Sequence, residues 1–92
     1  MTDGERTDYP GLAGYGSARE SACDAVLAVM AWYAEQLVLE QRRPAPGPAR
    51  VEELMSARRA ARSDLERART AGPQEAERIA DEYAARLRDL TA

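Results

Sequence analysis

Apolar positions crowd into one stretch of this chain. Residues 24–40 read DAVLAVMAWYAEQLVLE, and from Ala25 to Ala34 there is neither a charge nor an amide. On a helical wheel the residues fall into two apolar faces. Ala22, Tyr33, Val26, Leu37, Met30, Cys23, Ala34, Leu27 and Val38 form a broad face. Asp24, Glu35 and Arg42 draw a narrow polar line beside it. Beyond that line Ala25, Ala28, Val29, Trp32 and Leu39 form a second strip. The pattern predicts a long helix over about 18–43. Ser17-Ala-Arg-Glu20 reads as a capping box that starts it, and residues 1–16 read as a flexible tail in which YPGLAGYG could dock on a partner or fold back on the core. Pro44-Ala-Pro-Gly-Pro48 ends the helix, because proline removes backbone donors and enforces extended backbone.

Two narrower stripes follow. Val51, Leu54, Arg58, Ala61, Leu65 and Ala68 have the 3,4 spacing of a coiled coil and predict a helix over about 49–71. Gly72 suits the residue just past that helix, and Pro73 suits the first turn of the next. Ala76, Ile79, Ala80, Tyr83, Leu87 and Leu90 line one side of a third helix over about 74–90, with acids outside the stripe. No alternating run suggests a strand. The predicted fold class is all-α: one three-helix domain over 17–92.

Two narrow stripes can cover one broad face of the first helix, but by a count of large side chains they leave Trp32 and Leu39 uncovered. Burying a Leu-sized side chain is worth roughly 1.5–3 kcal/mol, a large share of the ~5–15 kcal/mol that holds a small domain together. The expectation is therefore a homodimer, or more broadly a homo-oligomer, with Ala25, Ala28, Val29, Trp32 and Leu39 at the interface. Ala18, Ala22, Ala25 and Val29 lie along one edge and would let two backbones approach closely.

Composition narrows the function classes. The chain has 92 residues, a net charge of -3 and no Lys, His, Asn or Phe. Mild acidity argues against nucleic acid as a partner coated non-specifically. The all-Arg basic set fits a coding bias as well as it fits a choice for bidentate contacts. A single cysteine, Cys23, makes no internal disulfide and reads as a small core residue. The N-terminus lacks the basic start and apolar run of a signal peptide. The uncharged run is about half a membrane span and is bracketed by Asp24 and Glu35. These features lead us to expect a cytoplasmic protein with no membrane partner.

Candidate chemistry is sparse. Without His there is no Ser/His or Cys/His nucleophile system and no His metal site, so no enzyme activity, cofactor or metal is expected. In outline the chain is similar to helical chorismate mutases, but that resemblance implies interior Arg and Lys groups on the long first helix. Here Lys is absent and the first-helix arginines lie only at its ends. Arg58, Arg59 and Arg62 cluster on the second helix and could grip a phosphate, a carboxylate or an acidic partner, or could simply pair with acids of this chain. Two functional expectations result. The first is a non-enzymatic helical interaction module (an adaptor, assembly factor or regulatory subunit) working through the surplus apolar face. The alternative is a nucleic-acid- or nucleotide-binding regulator working through the arginines.

Overall fold

The computed structural model describes residues 10–92, with side chains described from Ser17 onward. Three helices account for almost all of this range: α1 (Pro10–Gln41), α2 (Pro48–Thr70) and α3 (Pro73–Thr91). The fold is all-α, with no strand among the described residues. α1 starts earlier than the sequence suggests. Residues 10–16 are helical, so Ser17 lies about two turns inside the helix and the Ser17–Glu20 capping box does not mark its start. Residues 1–9, and the side chains of Leu12 and Tyr15, lie outside what is described.

Proline and glycine set both corners. Pro48 and Pro73 each occupy the first turn of a helix, where the missing N–H costs nothing. Gly72 is the N-cap of α3 and is extended, with φ -71° and ψ 173°, as a residue before proline prefers. It does not adopt the left-handed conformation typical of a glycine that ends a helix. α2 closes instead through Ala71, whose N–H donates to the Ala68 carbonyl.

The chain runs up α1, back down α2 and up again in α3. Contact between Glu40 and Gly47 joins the top of α1 to the start of α2. At the other end Arg19 Nε donates to the Ala71 carbonyl at 2.7 Å and ties α1 to the α2–α3 corner. α2 and α3 both pack along α1 and touch each other far less. The core is a seam of Ala22, Val26, Val29, Tyr33 and Leu37 from α1, Leu54, Ala61, Leu65 and Ala68 from α2, and Ala76, Ile79 and Tyr83 from α3. The α2 and α3 residues in this seam all come from the stripes read off the sequence. The exception on α2 is Arg58, which is exposed while its stripe neighbours Leu54 and Ala61 are buried.

α1 departs most from expectation. Val29, placed by sequence at a partner interface, is fully buried inside the chain. Ala25 and Trp32 pack against the same core, Ala28 is half-buried, and only Leu39 of that strip is well exposed, at 52%. The small-residue edge expected to receive a second molecule is occupied by α3: Ser17, Ala18 and Ser21 face Glu77, Ala80 and Asp81 across a shallow cleft. The reason is alanine. Ala61 and Ala68 of α2, and Ala76 and Ala80 of α3, are small enough for both helices to approach α1 closely. Two narrow helices therefore cover more of α1 than a count of large side chains predicts.

By length and composition α1 is the one described helix that could cross a membrane. Ser17–Gln41 reaches a mean hydropathy of 1.4, and 28% of that window is buried inside the structure. The core helix of a non-membrane protein and a signal sequence near an N-terminus both meet the same criterion.

Candidate functional site

Apart from Leu39, the large apolar side chains of α1 left exposed lie on its α2 side. Leu27 is 48% exposed and Val38 is 45% exposed, and Met55 of α2 adds a further 40%-exposed side chain. Leu27, Ala31, Ala34 and Val38 succeed one another at spacings of four, three and four, so they share one line along the helix. The sequence pattern puts Leu27 and Val38 on the broad face expected to form the intramolecular core. They miss it because α2 sits beyond Met30 and Leu37 and leaves the next row outside.

Two shallow grooves run along this face. One, of about 110 Å³, is lined by Met30, Met55, Arg58, Arg59 and Arg62. The other, of about 340 Å³, is lined by Ala34, Leu37, Val38, Gln41, Met55 and Arg58. The arginine cluster noted in the sequence thus borders the apolar face. Arg59 reaches Glu52 at 3.2 Å across an exposed pair. Arg58 and Arg62 make no ion pair among the described residues, and neither do Asp24 and Glu35 on the opposite flank of α1. The face therefore has an apolar centre, one cationic border and one anionic border. Ala25, Ala28, Val29 and Trp32 are not part of it, and Leu39 stands apart beyond the Asp24–Glu35 line.

The other polar clusters brace the fold. Glu40 is nearly buried, at 8% exposure. One of its carboxylate oxygens accepts from the Gly47 N–H at 2.8 Å and both accept from Arg43 at 3.2 Å. The Gly47 N–H holds the Glu40 carboxyl below its ordinary value, burial works against this, and Arg43 reinforces it. A Cβ at Gly47 would stand 3.2 Å from Glu40 Oε2, so the corner has little room for a side chain. Across the α2–α3 gap the Tyr83 hydroxyl donates to Asp64 Oδ2, while Arg67 donates to Asp64 Oδ1 at 2.6 Å and to Glu75 at 2.5 Å. Arg86 lies over the Tyr83 ring, 4.3 Å from its centre. Burial, and then the Asp64 carboxylate, push the Tyr83 hydroxyl up to about 12. No sequence pattern singles out Asp64, whereas Glu40 falls on the core side of the α1 wheel beside Ala22, the one sequence signal of its burial.

No group of His, Cys, Asp and Glu among the described residues could hold a metal ion. Cys23 is half-buried against the core and free. Compared with family models, with curated proteins and with solved structures, the chain finds no match in any of the three.

Proposed function

We propose that this protein is a non-enzymatic helical interaction module, an adaptor, assembly factor or regulatory subunit that docks another helix along Leu27, Ala34, Val38 and Met55. The observation that carries this reading is the contiguity of exposed large apolar side chains with two grooves and with arginines left without an ion pair among the described residues. Exposed apolar patches rimmed by polar groups mark interaction sites. The line of Leu27, Ala31, Ala34 and Val38 has the spacing of an apolar helical seam. The same reading places the protein in the cytoplasm. In its support, α2 and α3 turn charged outer faces to the surroundings while their inner faces take up Val26, Val29 and Tyr33.

The test is a binding comparison between the intact chain and a Leu27→Glu/Val38→Glu variant, with Leu39→Glu as control. Partners retained by the wild type and by L39E, and lost from the double variant, support the reading. Identical partner sets for all three remove it.

A second reading follows from Arg58 and Arg62, which line the smaller groove beside two methionines. Two guanidiniums over an apolar floor suit a nucleotide phosphate and base, or a nucleic-acid backbone. This reading requires salt-sensitive binding that weakens in Arg58→Ala/Arg62→Ala. Binding indifferent to salt and to those substitutions eliminates it.

A further inference from the structure

We infer that the occupant of this face is a second copy of the same chain, packed with its α1 parallel to the first about a two-fold axis running along the helices. The inference rests on the docking reading above and deepens it. Charge complementarity within one chain carries it. Viewed down α1, the exposed line Leu27–Ala31–Ala34–Val38 has α2 on one flank, bearing Met55, Arg58 and Arg62. The polar line Asp24, Glu35 and Arg42 lies on the other flank, about 60° round the helix. Asp24, Glu35, Arg42, Arg58 and Arg62 make no ion pair among the described residues.

Two orientations are available to a pair of α1 helices meeting on this line. In an antiparallel pair the two-fold axis is perpendicular to the helices, and both copies of α2 fall on the same side of the interface. Arg58 and Arg62 sit level with Met30–Val38, near the middle of the exposed line, so they would face their own copies. The acidic flanks would face each other on the opposite side. In a parallel pair the axis runs along the helices, and the α2 of each copy falls against the acidic flank of its mate. Because α2 runs antiparallel to α1, Glu35 of each copy then lies within about a turn of the level of Arg58 of its mate, while Asp24 lies near the level of Glu66 and Arg67. Of the two, the parallel arrangement is the one that sets unlike charges, Glu35 and Arg58, against each other at the middle of the seam. It also stacks Ala31 and Ala34 on their own copies at the centre, where small residues allow close backbone approach.

The experiment is sedimentation equilibrium of the full chain from 1 to 100 μM, run with dye-binding fluorescence for exposed apolar surface and circular dichroism for helix content. Wild type is expected to be dimeric. Val38→Glu is expected to remain helical and to weaken association by about a hundredfold or more, because two carboxylates enter one apolar seam. Glu35→Arg and Arg58→Glu are each expected to weaken it about tenfold, and the combined E35R/R58E variant to recover most of the loss. In a Cys23→Ala background, Leu27→Cys is expected to form a disulfide between copies on mild oxidation, as a parallel pair sets residue 27 against itself whereas an antiparallel pair sets it against residue 38.

A wild-type monomer that binds dye, and loses the dye in V38E, overturns the second copy but leaves the docking face standing. A monomer that binds no dye overturns both. A monomer that floats with anionic vesicles assigns the face to a membrane and overturns the inference. A dimer insensitive to V38E uses another surface and overturns it as well. A V38E-sensitive dimer without charge-swap rescue or L27C cross-linking overturns the parallel orientation.

Discussion

Tyr83→Phe tests whether the α2–α3 gap is held by a buried polar bridge. Tyr83 is 1% exposed, and its hydroxyl donates to Asp64 of α2. The substitution removes the hydroxyl and keeps the ring, so no cavity is created and Arg86 keeps its stacking partner, 4.3 Å from the ring centre. A hydrogen bond to a charged acceptor contributes about 1.5–3 kcal/mol. Asp64 retains Arg67 at 2.6 Å and is 24% exposed on its side chain, so water and arginine offset part of the loss. The net destabilisation is then about 1–2 kcal/mol, which lowers the melting temperature by roughly 5–15 °C in a domain of this size. Urea denaturation gives the free energy directly. A double-mutant cycle with Asp64→Ala isolates the pair, with an expected coupling of about 1 kcal/mol or more. The bridge also has a pH signature. The folded hydroxyl is pushed up to about 12 from an ordinary 10, so its stabilisation is complete below pH 10 and disappears as pH rises through 12. Y83F should lack that alkaline loss. A Y83F protein within about 0.5 kcal/mol of wild type, with an unchanged alkaline profile, would refute the bridge.

Three other substitutions probe the remaining contacts. Val29→Ala should cost about 1–3 kcal/mol in chemical denaturation because Val29 is fully buried, whereas Leu39→Ala should stay within about 0.5 kcal/mol; equal effects would contradict the packing of α1. Glu40→Gln should flatten the acid limb of the stability curve. The Glu40 carboxyl is held below its ordinary 4.5 by the Gly47 N–H, so its contribution is present above that value and is lost as pH falls through the depressed one; wild type and E40Q losing stability in parallel between pH 5 and 2 would count against it. Gly72→Ser should stabilise by about 0.5–1 kcal/mol, because position 72 is extended, has nothing within 4 Å of an added Cβ, and caps α3 without a side-chain acceptor; a lower melting temperature would show that the corner needs glycine.

Local signals decided the secondary structure. Apolar periodicity located all three helices, the prolines located both corners, and the stripes named the core residues of α2 and α3, because a helix of about twenty residues buries whichever side is apolar. The start of α1 at Pro10 is not legible in the sequence, because a serine suited to a cap at position 17 is also acceptable in a helix interior. Sequence alone could not orient α1, whose apolar residues are spread around its axis. With apolar groups on several sides, the inward side is set by where neighbouring helices can come closest. That depends on Ala61, Ala68, Ala76 and Ala80 acting together across three segments. Tertiary packing thus drew Val29, Ala25 and Trp32 inward and left Leu27 and Val38 out. It also brought Arg58 and Arg62 to the edge of that exposed face, next to Met30 and Met55, a neighbourhood that exists only once α2 has folded back along α1.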